Sequence, residues 1–172
     1  MIEGIKVFLR PIAHGDTDNI VHWRNSPWVQ RYFIDHTPLT RQIHENWLKT
    51  RGETGRVAQF IIVDKASGAD VGTVYLRDID AANSHAEFGI YIGEAPARRR
   101  GLGSEAASLI CRYGFETLRL HRIYLRVLAD NPIAAHCYEK IGFQREGLLR
   151  QHAFDGQRYH DVVIMGYLKG NG

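Results

Sequence analysis

The sequence has few cysteines, no long apolar run and no metal-type histidine spacing, and each absence excludes a class of protein. Its two cysteines, Cys111 and Cys137, form neither a C-x-x-C pair nor a disulfide framework, which favours a reducing compartment. No apolar run approaches the length of a membrane span, and the N-terminus lacks the basic-then-apolar order of a signal peptide. We therefore expect a cytoplasmic protein that does not associate with membranes.

The excess of positive charge is also small. The formal net charge is +3, which argues against a dedicated nucleic-acid-binding protein with a broad basic stripe. The nine histidines contain no His-x-His or His-x-x-x-His pair, so we expect no metal site. A nucleic-acid adaptor that uses Arg98 to Arg100 remains a rival hypothesis, and it predicts strongly salt-dependent binding to any duplex.

The length and composition indicate one globular domain. The chain has 172 residues, of which 44% are hydrophobic and 24% charged, so we expect a single domain over residues 1–172. Hydrophobic periodicity and turn residues predict a set of strands and a smaller set of helices. The strands cover residues 5–9, 57–63, 71–79, 86–92, 123–127, 143–150 and 159–168. The helices cover residues 16–23, 40–48, 102–118 and 132–141, with a further helical turn within 28–33.

The order of these elements predicts an α+β fold with a mixed, twisted sheet flanked by helices. Consecutive hairpins account for the antiparallel part of the sheet. The strand–helix–strand unit over residues 87–127 predicts a right-handed parallel crossover. The loop before its helix then lies at the C-terminal end of a strand, where α/β sheets usually bind ligands.

That loop is the most informative stretch of the chain. It reads Arg98-Arg99-Arg100-Gly101-Leu102-Gly103-Ser104 and opens an amphipathic helix. Glycine allows a sharp turn and a close approach of the backbone to a ligand, and the first helical N–H groups favour an anion. The arginines add charge and forked donors. Together these features predict a cradle for a diphosphate.

Two motifs together resemble the GNAT family of N-acetyltransferases. The loop is similar to the family's coenzyme A motif, Gln/Arg-x-x-Gly-x-Gly/Ala. Further along, Asn131-Pro-Ile-Ala-Ala-His-Cys-Tyr138-Glu-Lys-Ile-Gly142-Phe143 is similar to the second signature, Asn-x-x-Ala-x-x-x-Tyr-x-x-x-Gly-Phe. The resemblance covers essentially the whole chain. Within the family it points to the ribosomal-protein alanine acetyltransferases, a branch that also includes spermidine and amino-sugar acetyltransferases.

The resemblance implies acetyl-CoA as the donor, a primary amine as the acceptor and direct transfer through a ternary complex, without a metal. It implies that backbone N–H groups of residues 99–104 hold the pyrophosphate. It also implies that the strand at residues 90–92 splays from its neighbour and pairs with the pantetheine arm. The implied cofactor-binding residues are Ile90, Tyr91, Ile92, Arg98, Arg99, Arg100, Gly101, Leu102, Gly103, Ser104, Asn131 and Tyr138.

Two residues are candidates for proton transfer. Glu87 lies on the cleft strand, opposite in phase to the core face, and is the candidate general base, with His85 and Asp78 as lesser candidates. The alternative is a structural role, in which the carboxylate of Glu87 only pairs with an arginine or histidine. Tyr138 is the candidate acid for the leaving thiolate, against the alternative of a packing tyrosine. A covalent route through Cys137 is disfavoured because adjacent helix positions point in different directions.

The acceptor end is less distinctive. The candidate acceptor-binding residues lie in the predicted N-terminal helices or on the cleft strand: Arg24, Asn25, Tyr32, His44, Trp47 and Glu87. Three acceptors remain open, namely a protein N-terminus, a nucleotide-linked amino sugar and a polyamine. Glu45, Glu53 and Asp80 form no visible acidic cluster of the kind a polyamine would favour. A non-catalytic acyl-CoA sensor is the alternative function, and a homodimer is left open.

Overall fold

The computed structural model describes residues 1–52 and 54–170. The strands are β1 (Ile2–Glu3), β2 (Val7–Pro11), β3 (Ala58–Asp64), β4 (Asp70–Asp80), β5 (His85–Ile92), β6 (Arg122–Leu128), β7 (Gln144–Phe154) and β8 (Tyr159–Leu168). The α-helices are α1 (Thr17–Asn25), α2 (Pro27–Gln30), α3 (Arg41–Trp47), α4 (Leu102–Glu116) and α5 (Pro132–Ile141). Short 3-10 helices cover His14–Asp16 and Ala95–Ala97, and a π-helical turn covers Leu48–Gly52.

All eight strands form one mixed sheet in the order β1-β2-β3-β4-β5-β6-β8-β7. Neighbouring strands are antiparallel except for β5 and β6, which run parallel and are joined through α4. This is the predicted mixed fold, with the parallel crossover where the sequence placed it. The crossover brings the loop before α4 to the C-terminal end of β5.

The two faces of the sheet carry different layers. Alternate residues of β3 to β6 pack with α4 and α5 in the main core, which includes Leu76, Ala86, Phe88, Ile110 and Leu125. The opposite face packs under α1, where Ile20 and Trp23 contact Ile61 and Val63. Successive strand residues point to opposite faces, so one strand serves both layers.

Two predicted caps are present, and a third is wrong. The Thr40 hydroxyl accepts the Ile43 N–H at 3.2 Å, and Asn131 Oδ1 accepts the Ala134 N–H at 3.3 Å. Asp16 precedes α1 but does not cap it. Its carboxylate instead accepts the Ala13 N–H at 2.7 Å and pairs with the Arg10 guanidinium, which is a stronger partner than an exposed amide.

The boundaries differ most at β7. The predicted strand over 143–150 extends to Phe154, because register shifts between Arg145 and Gly147 and between Leu149 and Ala153 let it follow β8 to the turn. Helix α4 ends at Glu116, two residues before the predicted end. Gly142 follows α5 with φ 127°, a conformation that favours glycine.

Candidate active site

The parallel strands β5 and β6 part at the centre of the sheet. They pair only at His85–Arg122, Ala86–Ile123 and Glu87–Tyr124 in the described chain. Beyond Glu87, β5 stays paired with β4 on its other edge, and β6 stays paired with β8. The edge of β5 from Phe88 to Ile92 therefore faces a gap, which is the splayed strand pair that the resemblance implied.

The loop before α4 is shaped by two left-handed residues. Arg99 has φ 59° and Gly101 has φ 80°. The first hydrogen bond of α4 runs from the Glu105 N–H to the Gly101 carbonyl at 3.2 Å. The N–H groups of residues 102–104 precede that bond, so they have no acceptor inside the helix and sit at its positive end. The arrangement suits a diphosphate at the mouth of the gap.

The arginine side chains of this loop are mostly engaged within the protein. Arg98 donates to the carbonyls of Ile92 and Gly93, and its Cζ lies 4.7 Å from the Trp28 ring centroid. Arg100 Nη1 lies 2.7 Å from Asp64 Oδ2. This corrects the expectation that all three arginines offer free charge to a ligand, because two of them fasten the loop to the sheet.

A lysine that the sequence analysis missed lies beside the loop. Lys6 Nζ is 3.3 Å from the Arg100 carbonyl, and a cavity of about 520 Å³ opens between Lys6, Asp64, Lys65, Arg100 and Leu102. Lys6 is 94 positions away from Arg100 in sequence, so only the pairing of β2 within the sheet brings it here.

Tyr138 reaches the gap from the α4–α5 face. Its ring packs edge-on against Phe88 at 5.6 Å and Phe143 at 6.0 Å between centroids. Phe88 is the first β5 residue beyond the β5–β6 pairing, so Tyr138 lies beside the opening. Burial raises the pKa of Tyr138, which keeps the phenol protonated at neutral pH. Its neighbour Cys137 is partly exposed.

Glu87 is held by two arginines. Its Oε1 lies 2.9 Å from Arg77 Nη2 and 2.9 Å from Arg126 Nε, and the Glu87 side chain is only 8% exposed. Burial alone would raise the pKa of Glu87, but the hydrogen bonds from both guanidinium groups outweigh it and lower the pKa. This geometry supports a structural ion-pair role for Glu87 over a role as general base. A carboxylate that is bound by two guanidinium groups and has a lowered pKa is a poor proton acceptor.

The lesser base candidates differ in their surroundings. His85 Nε2 lies 3.8 Å from Asp80 Oδ2, and its Nδ1 is buried without a hydrogen-bond partner among the described residues. Asp78 lies within electrostatic range of Arg77 and Tyr124. His85 pairs with Arg122 two residues before Glu87, so it lies further from the gap than Glu87 does.

Tyr75 is a site residue that the sequence analysis missed. Tyr75 and Gly89 are paired across β4 and β5, and a Cβ on Gly89 would overlap the phenol ring and its hydroxyl. The ring therefore lies across β5 two residues beyond the last β5–β6 pair. The phenols of Tyr75 and Tyr138 are within electrostatic range of each other, although they approach from opposite faces. The alternation that places Arg77 and Tyr75 on one strand face was the available signal.

The helices α1 to α3 cover the Tyr75 side of the gap. Trp47 packs edge-on against Tyr75 at 6.4 Å between centroids. Arg24 is buried, and its Cζ lies 3.7 Å from the Phe33 centroid. The Phe33 ring in turn meets Tyr91 at 5.6 Å. Of the predicted acceptor-binding residues, Trp47 contacts Tyr75, and Arg24 and Glu87 lie within electrostatic range of it.

The other predicted acceptor-binding residues have structural contacts. Asn25 exchanges two hydrogen bonds with Leu39, at 2.7 and 2.8 Å, and fastens the segment that covers α1. His44 is 4% exposed and bonds Thr17, so it belongs to the packing of α1 against α3. Tyr32 packs against Trp28 at 5.6 Å. These contacts give each of the three residues a structural role, and their contact with an acceptor stays a prediction.

The turn between β7 and β8 is held against the segment before α5. His160 bridges Asp155 at 2.7 Å and Asp130 at 3.0 Å, which ties the turn to the start of α5. Ile34, from the segment before α3, packs on a small cluster of Leu128, Ala153 and Val162.

Residues 1–52 and 54–170 contain neither a metal-type cluster of side chains nor a membrane-spanning helix. No group of three or more His, Cys, Asp or Glu side chains there is arranged to hold a metal ion. In the same part of the chain, no helix is long and apolar enough to span a membrane.

Comparisons with known proteins identify the family of this chain. Residues 6–144 match the family model described as an acetyltransferase (GNAT) domain. The chain is 30% identical to spermidine N(1)-acetyltransferase of Vibrio cholerae over 162 residues, covering 94% of this chain and 92% of that protein. It is also 30% identical to the Escherichia coli K12 spermidine N(1)-acetyltransferase, covering 92% and 84%.

A solved structure supports the same assignment. The V. cholerae spermidine N-acetyltransferase in complex with CoA and spermine superposes with a TM-score of 0.89 at 29% identity, covering 96% of this chain and 97% of that one. The chain therefore belongs to the GNAT family and is an N-acetyltransferase that uses acetyl-CoA.

Proposed function

We propose that this protein transfers an acetyl group directly from acetyl-CoA to a primary amine, with donor and acceptor bound together. The observation that carries the proposal is the gap between β5 and β6 beside the start of α4. The gap admits a thioester from one face and an amine from the other. Holding the two reactants in contact is itself a large catalytic term.

In this proposal the backbone does most of the cofactor binding. N–H groups of residues 99–104 hold the diphosphate, and the unpaired edge of β5 at residues 90–92 pairs with the pantetheine arm. Asn131, besides capping α5, faces the same arm. Of the loop arginines, Arg99 is exposed and supplies charge, whereas Arg98 and Arg100 keep the loop in place.

Proton transfer in this proposal rests on Tyr138. Its phenol protonates the departing thiolate of CoA and is well suited because its raised pKa keeps it in the acid form. Glu87 orients Arg77 and Arg126 and does not take the proton of the amine. The amine either arrives in its neutral form or arrives as an ammonium ion that loses its proton to a water molecule in the site.

The experiment is a thiol-release assay with purified protein, acetyl-CoA and a panel of primary amines. Spermidine belongs in the panel because the relatives are named for it. Amine-dependent release of free CoA supports the transferase. CoA binding by calorimetry with no amine-dependent release would favour the acyl-CoA sensor, and no CoA binding would overturn the proposal.

We also propose self-association through the outer edge of β7. That strand is the last of the sheet and is largely exposed, with Leu148 at its surface and Phe154 and Tyr159 beside the turn. A structural relative, the V. cholerae spermidine N-acetyltransferase, is described as dodecameric. Light scattering coupled to size exclusion measures the assembly, and a monomer across the accessible concentrations would contradict it.

A further inference from the structure

The acceptor face of the gap is rich in guanidinium groups. Arg24, Arg77 and Arg126 lie within electrostatic range of Tyr75, which marks the gap. Between them they carry fifteen N–H donors in rigid forks, since each guanidinium has five. Such forks match the geometry of a carboxylate or phosphate.

The protein supplies few acceptors to these donors. Arg77 and Arg126 share a single carboxylate, that of Glu87, and are 33% and 31% exposed. Each binds Glu87 through Nε and Nη2, so this clamp does not use the Nη1 edge of either group. Glu87 is fully used by this clamp, so it has no oxygen to spare for an ammonium group.

Arg24 is the deepest of the three cations. The residue is 7% exposed, and its Nη2 donates to the Asp35 carbonyl. Its Nη1 is buried with no hydrogen-bond partner among the described residues. Buried guanidinium nitrogens are nearly always paired, so an orphan one next to a ligand gap points to an acceptor that arrives with the ligand.

The neighbouring carboxylates either lie beside the same arginines or are bonded to other groups. Asp35 lies within electrostatic range of Arg24, but its Oδ1 accepts the Thr37 N–H at 2.9 Å. Asp78 lies near Arg77 and Tyr124. Glu45 pairs with Arg41 at 2.9 Å, and Asp80 is bonded to Asn83. Glu53 lies outside the described residues.

We infer that the acceptor is a primary amine that also carries an acidic group, a carboxylate or a phosphate, which docks between Arg24, Arg77 and Arg126. The inference rests on the proposed acetyl transfer and narrows its acceptor. The acidic group completes the unused guanidinium donors, and the amine then lies over Tyr75 at the gap. A polycation such as spermidine places a positive charge against the same three arginines and is a poor acceptor.

The test compares amines that differ only in charge. β-Alanine is matched by its neutral amide, and O-phosphoethanolamine by ethanolamine, which separates the carboxylate source from the phosphate source. 1,3-Diaminopropane and spermidine are included as amines that carry additional positive charge. Values of kcat/KM are measured with acetyl-CoA at one pH and corrected for the fraction of neutral amine. We expect at least one anionic amine to exceed its neutral partner by about tenfold or more, and the cationic amines to fall below both.

Arginine variants test whether the preference for the anionic amine comes from these side chains. Arg126→Gln removes a partly exposed fork, and Arg24→Lys keeps the charge but removes the fork. Each is expected to reduce the preference for the anionic amine to about threefold or less. Arg145→Gln is the matched control, because Arg145 is an exposed arginine that pairs with Glu139 away from the gap. If Arg24→Lys does not fold, Arg77→Gln takes its place.

The outcomes separate this inference from the proposed function. The inference is overturned if the neutral or cationic amines are the better acceptors, or if the anionic preference survives unchanged in the folded variants. If CoA binds but no amine is acetylated, the transferase proposal fails. Calorimetry of the same amines on the CoA-saturated protein then decides the inference, which requires the anionic members to bind and the cationic members not to.

Discussion

The phenol ring of Tyr75 occupies the space that a side chain at Gly89 would need. The two residues are direct partners across β4 and β5, and a Cβ on Gly89 would meet the far end of the ring. Because Trp47 packs against the same ring, the ring has little room to move away. Tyr75, Gly89 and Trp47 thus fix one wall of the gap between β5 and β6.

Gly89→Ala is expected to destabilise the protein and to impair acetyl transfer. Overpacking of this kind costs roughly 1–3 kcal/mol, and it displaces the phenol from the gap. Thermal unfolding and thiol release measure the two effects. Gly147→Ala is the control, since a Cβ there meets nothing within 4 Å. Equal stability and activity in the two variants would contradict the close fit.

Tyr138→Phe is expected to lower kcat by about 10²-fold while leaving the affinity for CoA nearly unchanged. The reason is that only the hydroxyl is lost, whereas the ring keeps its packing on Phe88 and Phe143. Steady-state kinetics and calorimetry provide the two values. Tyr113→Phe, on α4 and packed on Phe60, is the matched control. An unchanged kcat would remove Tyr138 from the mechanism.

Glu87→Gln separates the ion-pair role from the base role. A general base predicts that the variant loses rate mainly below the pKa of the amine. The two ion pairs predict instead that wild type and variant share the same inflection between about pH 6 and about pH 9, because the lowered pKa keeps Glu87 ionised throughout. Profiles of kcat/KM against pH distinguish the two hypotheses.

The same variant reports on stability. Removing one partner of a buried ion pair is costly, but both arginines are about a third exposed, so we expect a loss of roughly 1–3 kcal/mol. Since the folded-state pKa of Glu87 is lowered, its stabilisation is present above its unfolded pKa near ~4.3 and disappears as the pH falls through the folded value. The difference in free energy of unfolding between wild type and Glu87→Gln, measured in urea, should therefore decrease only at acidic pH.

Arg98 and Arg99 are expected to respond differently to replacement by glutamine. Arg98→Gln removes hydrogen bonds to two carbonyls and the contact with Trp28, so it should cost roughly 1–2 kcal/mol of stability. Arg99 is exposed, so Arg99→Gln should leave the melting temperature unchanged and weaken CoA binding several-fold at low salt. The reverse assignment would mean that Arg98 is the ligand contact.

His160 is expected to make stability depend on pH. Hydrogen bonding to Asp155, and then to Asp130, raises the pKa of His160, with Arg158 opposing the shift. A raised pKa means that the contribution is complete below the unfolded value near ~6.5 and is lost as the pH rises through the folded value. The difference in melting temperature between wild type and His160→Gln should therefore narrow from about pH 6 to about pH 9. A constant difference would exclude this linkage.

The sequence by itself determined the fold and the place of the glycine loop before α4. Alternating strands, the Thr40 and Asn131 caps and the strand–helix–strand order each depend on neighbouring residues, so local physics was sufficient. The resemblance then supplied the family, because both motifs are short and continuous in sequence. Element boundaries failed mainly at β7, where two register shifts against β8 decide the length.

Only the tertiary structure decided what the charged side chains do. Arg100 pairs with Asp64, Arg98 folds back onto β5 and Glu87 is clamped by Arg77 and Arg126, and none of these pairings follows from local sequence. A charged side chain takes whichever opposite charge the sheet brings within a few ångströms, and that partner is often tens of residues away. For the same reason the position of Tyr75 could not be predicted from local sequence, because it depends on the register of β4 against β5.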